Sequence, residues 1–171
     1  MARDFMRVGV PARRGGWRAL LLFVLATSAT GAIGALASIH AAELYAQLDR
    51  PRWAPPASVF GPVWTVLYLL IAVAGWLAWR ERNARGRRAA LVLYFTQLAL
   101  NALWSWLFFG WHLGALALVD VCVLWLAVLA TMVQFWRLRP LACALLLPYL
   151  LWVSFATALN AAVWRLNPTL L

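Results

Sequence analysis

The chain has 171 residues, 65% of them hydrophobic and only 12% charged, about half the charged fraction of an ordinary soluble domain (roughly 25%). Mean hydropathy is +0.80, which leaves too little polar side chain to clothe a soluble fold and too much apolar surface for a disordered chain. The formal charge of +10 does not describe a nucleic-acid-binding domain, because the basic residues stand between long apolar runs. The composition is that of a single-domain integral membrane protein.

The basic residues are all arginine and the acids are Asp4, Glu43, Asp49, Glu81 and Asp120. Cys122 and Cys143 lie inside apolar runs, where thiols act as small hydrophobes rather than as a disulfide framework. The 12 tryptophans exceed the needs of an interfacial belt.

A hydrocarbon core about 30 Å thick takes roughly 20 helical residues to cross. Five stretches are long enough, about 19–39, 59–79, 89–109, 113–136 and 141–164. Their length and lack of period-2 alternation exclude an outer-membrane barrel, so the predicted fold class is an all-α bundle of five transmembrane helices. Residues 1–18 form an arginine-rich tail, 19–167 the transmembrane domain and 168–171 a C-terminal tail.

The tail carries Arg3, Arg7, Arg13, Arg14 and Arg18. The connection after the second span carries Arg80, Arg82, Arg85, Arg87 and Arg88, and that after the fourth Arg137 and Arg139. The other side has only Arg50, Arg52 and Arg165. This bias places the N-terminus in the cytoplasm. The first span also resembles a signal peptide, with Ala35-Leu36-Ala37 as a cleavage-like site. Its length and its ridge of Ala26, Thr30, Gly34 and Ser38, flanked by Thr27, Gly31 and Ala35, instead predict a retained, closely packed helix.

The connection from His40 to Ser58 is long, and Arg50-Pro51-Arg52-Trp53-Ala54-Pro55-Pro56 makes it stiff and non-helical. Trp53 is then held over one end of the bundle. The third span presents Gln97, Asn101 and Trp104 on one face, the fifth Tyr149, Trp152, Ala156 and Asn160, and the second Trp64, Thr65 and Tyr68. Two arrangements fit these residues: the amides bond one another across helices, or they anchor a ligand in an aromatic-walled cavity. The small Ala156 leaves room and favours the cavity. Pro148 removes one backbone bond of the fifth span. Asp120, the one acid deep in a span, is expected to brace the outer loops or pair with an outer arginine. His40 and His112 fall at span ends, and no metal cluster, phosphate-cradling loop or hydrolase nucleophile is present in the sequence.

Three segments carry a resemblance. Trp53-Ala54-Pro55-Pro56 is similar to a Trp-x-Pro-Pro loop. Tyr94-Phe95-Thr96-Gln97-Leu98-Ala99-Leu100-Asn101, with Trp104 and Phe108-Phe109-Gly110, is similar to a characteristic third helix. Pro148-Tyr149-Leu150-Leu151-Trp152, Phe155 through Asn160 and Val163-Trp164-Arg165 are similar to a fifth. Together, and in this order, they resemble the TspO/MBR family of tryptophan-rich sensory proteins and mitochondrial translocator proteins.

The resemblance implies a five-helix bundle, often a homodimer, whose pocket opens towards the first loop. It implies a porphyrin such as protoporphyrin IX as ligand, with no further cofactor. Trp53, Asn101, Trp104, Trp152, Ala156 and Asn160 match pocket positions, and Tyr68, Gln97 and Tyr149 join them from the face reading. Trp53 and Trp152 match the tryptophans implicated in light-dependent porphyrin breakdown by some bacterial members, which keeps a porphyrin-degrading enzyme as the alternative to a binding, sensing or transport protein. Asp120 matches an acid in relatives. The sterol-recognition pattern is broken at Ala161, which counts against sterol. Leu116 and Ser105-Trp106 also depart from common family residues. With the arginine-rich tail, the expected location is a bacterial cell membrane.

Overall fold

The computed structural model describes residues 16–81 and 84–171. Most of the arginine-rich tail, residues 1–15, and Arg82 lie outside them. Six α-helices follow in order: α1 Gly16–Ala37, α2 Ala41–Gln47, α3 Phe60–Arg80, α4 Arg87–Ser105, α5 Gly114–Leu138 and α6 Pro140–Leu166. All but α2 are long and apolar enough to cross a membrane, counting the 3₁₀ turn Ala57–Val59 with α3 and the π-helical turn Trp106–Gly110 with α4. The expected span ends fall within three residues of these bounds. The chain is thus an integral, multi-pass membrane protein. Helix α6 runs on through Pro148.

The five spans form a closed ring in the order α1, α3, α6, α5, α4, each packed on the next, with α3 also touching α4 across the ring. Lipid tails are as apolar as the helix surfaces, so close packing rather than hydrophobicity must hold such a ring. Small residues permit it. On α1, Thr27, Thr30 and Gly34 are buried as the ridge predicts, whereas Ala35 faces outwards. A Cβ on Gly34 would lie 3.0 Å from the Ser105 hydroxyl of α4, and one on Gly31 would lie 3.0 Å from the Tyr68 ring of α3. Thr27, Thr30 and Ser38 donate their hydroxyls to carbonyls of their own helix, so the ridge buries no unpaired hydroxyl. The tightest approach is at Gly75 of α3, where a Cβ would stand 2.6 Å from the Tyr94 ring and 2.8 Å from Phe23.

The start of α1, the α3–α4 connection and the α5–α6 turn lie at one end. The Trp76 indole donates to the Gly16 carbonyl (2.7 Å), and Arg139 reaches Glu81 at 3.3 Å. The described arginines of the α1 start and of these two connections are therefore gathered at that end, Arg80 lying over the Trp76 ring (4.7 Å).

The connection from α1 to α3, at the opposite end, is more ordered than expected. It contains α2, which the proline-dominated reading missed because those prolines begin only at Pro51. Two ties hold the segment down. The Tyr45 hydroxyl donates to the Pro55 carbonyl at 2.9 Å, and Arg50 lies 4.6 Å over the Tyr45 ring. Asn167, just past α6, pairs with the Asp49 main chain in both senses: Asp49 N–H donates to Oδ1 (2.8 Å), and Nδ2 donates to the Asp49 carbonyl (2.9 Å). The same Nδ2 reaches the Val163 carbonyl at 2.8 Å.

Two substitutions test this architecture. Gly75→Ala is expected to destabilise the detergent-solubilised protein by about 1–3 kcal/mol through overpacking. Gly61→Ala, whose Cβ meets nothing within 4 Å, should leave the thermal midpoint nearly unchanged. Asn167→Ala removes hydrogen bonds with a net worth of about 1–3 kcal/mol. It is expected to leave helix content intact while trypsin cleavage after Arg52, followed by mass spectrometry, accelerates about fivefold or more.

Candidate functional site

Side chains projecting from α3, α4 and α6 make the polar interior. The Tyr68 hydroxyl donates to Asn101 Oδ1 at 2.6 Å, and Asn101 Nδ2 donates to the Tyr149 hydroxyl at 3.4 Å. One amide thus links three helices. A second link lies nearer the α5 start: the Trp104 indole donates to Asn160 Oδ1 (3.0 Å), and Asn160 Nδ2 donates to the Gly114 carbonyl (3.1 Å). Asn101 and Asn160 are each 2% exposed. Asn101 and Asn160 are thus bonded across helices, to tyrosine, tryptophan and main-chain groups rather than to one another. In hydrocarbon an unpaired amide costs several kcal/mol, roughly, so each link also fixes helix rotation.

Two polar groups stand apart. Both amide atoms of Gln97 and Oδ2 of Asp120 are buried without a hydrogen-bond partner. Asp120 makes no ion pair among the described residues, so the expected pairing with an outer arginine is not formed. Arg50, one candidate for it, rests on Tyr45 instead.

The aromatic residues converge separately, where the α1–α3 connection meets α6. Trp53 packs edge-on to Phe155 (ring centroids 5.8 Å apart), and Phe155 lies 5.4 Å from Trp152. Trp152 meets Phe60 at 5.9 Å, and Phe60 meets Tyr45 at 5.7 Å. This unbroken run of five rings joins the loop, α2, α3 and α6. Trp64 extends the aromatic surface inwards, stacked on Tyr68 at 5.3 Å and 6.2 Å from Tyr149. Edge-to-face and offset contacts of this kind contribute about 0.5–1.5 kcal/mol each beyond area burial.

An apolar cavity of about 580 Å³ lies along the α3–α6 seam below Trp53's partner rings, walled by Pro62, Val63 and Leu67 on one side and Pro148, Trp152 and Phe155 on the other. Its volume is within the range of small-molecule sites, about 300–1,000 Å³. It opens sideways, where Val66 and Leu151 are exposed towards the surrounding bilayer. A second, polar cleft of about 520 Å³ sits in the loop at Leu48–Pro51, Ala54 and Pro56.

The predicted residues therefore separate into groups. Tyr68, Asn101 and Tyr149 come together, as do Trp104 and Asn160, and Trp53 and Trp152 share Phe155. Gln97 is buried alone, and half-buried Ala156 does not line the α3–α6 cavity. Sequence reasoning passed over Phe60, Phe155 and Tyr45 as site residues. Phe155 carried a usable signal, three residues after Trp152 and so on the same helix face. Tyr45 carried none, because its helix was not foreseen.

Comparison with known proteins shows the family. The model of the TspO/MBR family matches residues 21–165. The tryptophan-rich sensory protein of Cereibacter sphaeroides is 42% identical over 151 residues, 88% of this chain and 92% of that one. The tryptophan-rich protein TspO of Archaeoglobus fulgidus is 40% identical, covering 86% of this chain and 96% of its own. The human translocator protein is 44% identical over 125 residues, 72% of this chain and 74% of its own. With five membrane-spanning helices, an aromatic wall built from the Trp-x-Pro-Pro loop and a family match over most of its length, the chain belongs to the TspO/MBR family.

Proposed function

We propose that this protein binds a tetrapyrrole such as protoporphyrin IX against the Trp53–Phe155–Trp152–Phe60 wall and so senses, buffers or moves porphyrins. The observation that carries this reading is the aromatic run bordering the apolar α3–α6 cavity. A porphyrin is a broad apolar disc with two carboxylates at one edge. Indole and phenyl rings suit the disc. The lateral opening suits a ligand that arrives dissolved in the bilayer. The carboxylates then meet the loop end, where Arg52 is exposed and makes no hydrogen bond or ion pair among the described residues. Arg50 contributes less, since it already lies over Tyr45.

A second reading is favoured by one feature: Trp53 and Trp152 both touch Phe155. Two oxidisable indoles beside one ligand suit light- and oxygen-dependent porphyrin degradation. Illumination separates the readings.

Protoporphyrin IX titrated into the purified protein should saturate, read by tryptophan quenching and by the porphyrin absorption band. Trp53→Phe and Trp152→Phe are each expected to weaken binding by about threefold to tenfold, and Arg52→Ala to weaken it with the thermal midpoint unchanged. Titrations that do not saturate, or constants unmoved by all three changes, overturn the site. Product that forms only under light and needs both tryptophans selects the enzyme reading; porphyrin left intact under light selects the binder.

The gathering of arginines at one end supports a cell-membrane protein with its N-terminus in the cytoplasm. A C-terminal alkaline phosphatase fusion in bacterial cells should be active, and a green fluorescent protein fusion at the same point dark. The opposite pattern reverses the orientation.

A further inference from the structure

Trp53 stands on a segment whose main chain is tied on both sides of it. Before it, the Asp49 main chain is paired with Asn167 in both senses, at 2.8 and 2.9 Å. After it, the Pro55 carbonyl accepts from the Tyr45 hydroxyl at 2.9 Å. Between these ties the Ala54 N–H donates to the Pro51 carbonyl at 2.9 Å, which closes a turn with Arg52 and Trp53 at its two central positions. The ties fix where the turn lies. They do not fix where the indole points, because a side chain on a turn keeps several staggered rotamers until something packs against it.

Phe155 is what packs against it. Among the described residues Trp53 has one ring contact, edge-on to Phe155 at 5.8 Å and 73°, and its indole N–H makes no hydrogen bond. Phe155 is itself placed from the helix side. It follows Trp152 by three residues on α6 and so shares its face, with the two rings 5.4 Å apart. Trp152 is in turn held edge-on by Phe60 of α3 at 5.9 Å. Phe155 and Trp152 both line the α3–α6 cavity, whereas Trp53 does not. Among the described residues the loop tryptophan therefore meets the rings of that cavity through Phe155 alone. An edge-to-face pair has a preferred direction, which an aliphatic side chain of similar size lacks.

We infer that Phe155 is a positioning residue for Trp53: its ring seats the indole of the loop beside Trp152, so that the two indoles stand at one ligand. The consequence for binding rests on the porphyrin reading, whereas the seating of Trp53 is measurable with no ligand present.

The test is fluorine NMR of the full-length protein in detergent, labelled with 5-fluorotryptophan, the Trp53 resonance being the one lost in Trp53→Phe. Without ligand, Phe155→Leu is expected to move that resonance towards the position of the free amino acid and to broaden it, while the resonances of the other tryptophans outside the wall stay in place. Phe155→Tyr keeps the ring edge and should leave the Trp53 resonance close to its wild-type position. Phe155→Met gives the same reading as Phe155→Leu should the latter fail to fold, a failure that would move all the tryptophan resonances together. The second arm is a protoporphyrin IX titration. Phe155→Leu should weaken binding about threefold to tenfold, as Trp53→Phe does. The doubly substituted protein should lose less than the product of the two losses, because the second change removes a contact that the first has already unseated. A Trp53 resonance unmoved by Phe155→Leu, one moved as far by Phe155→Tyr as by Phe155→Leu, or binding losses that multiply in full would each overturn the inference. If the wild type binds no protoporphyrin IX, the porphyrin reading falls and the shared-ligand role of Phe155 falls with it, and the fluorine spectra still decide whether Phe155 seats Trp53.

Discussion

The structure depends on Tyr94. Its ring is fully buried between four helices: it lies on Gly75 of α3, meets Phe23 of α1 edge-on at 5.5 Å and stacks with Phe135 of α5 at 6.1 Å. Its hydroxyl donates to the Ile71 carbonyl at 3.3 Å. In a bilayer no hydrophobic force draws helices together, so association rests on close contact and satisfied polar groups. Tyr94 supplies both at the place where α4 crosses towards α3. The absence of a side chain at Gly75 makes this possible, because any Cβ there would occupy the space of the ring.

With the ring of helices set by that junction, the other polar side chains act as rotational locks. Asn101 and Asn160 each join α4 and α6, one through Tyr68 and Tyr149, the other through Trp104 and the Gly114 carbonyl. These bonds hold α6 so that Trp152 meets Phe60 and Phe155 meets Trp53. Asn167 then fastens that loop from the C-terminal end of the same helix. Helix α6 thus carries the aromatic wall, its rotational anchors and the tether of the segment that covers it.

The two ends of the bundle differ in the same physical terms. At the loop end charge is sparse, and Arg50 is turned onto an aromatic ring. At the other end arginines outnumber acids among the described residues, and the one ion pair described there is Arg139–Glu81. The polar chemistry inside the bundle, by contrast, is carried by neutral amides, hydroxyls and indoles, save for Asp120. Gln97 and Asp120 keep buried atoms without partners, and they are the places where the interior is least satisfied.

Much of this was legible in the residues alone. Hydropathy located five spans to within three residues, because hydrocarbon thickness sets helix length. Arginine placement sorted the connections onto two ends, and the small residues of α1 marked a packed face through Thr27, Thr30 and Gly34. The Trp-x-Pro-Pro loop and the third- and fifth-helix motifs pointed to the family. Periodicity, however, says which face a residue occupies and not what lies opposite. Only the tertiary structure decided that Asn101 and Asn160 bond across helices, that Asp120 has no ion-pair partner among the described residues, that Phe155 joins Trp53 to Trp152, and that a short helix precedes the prolines. The physical reason is the order of helices around the ring, which no single helix encodes and which determines the neighbour each polar or aromatic group finds.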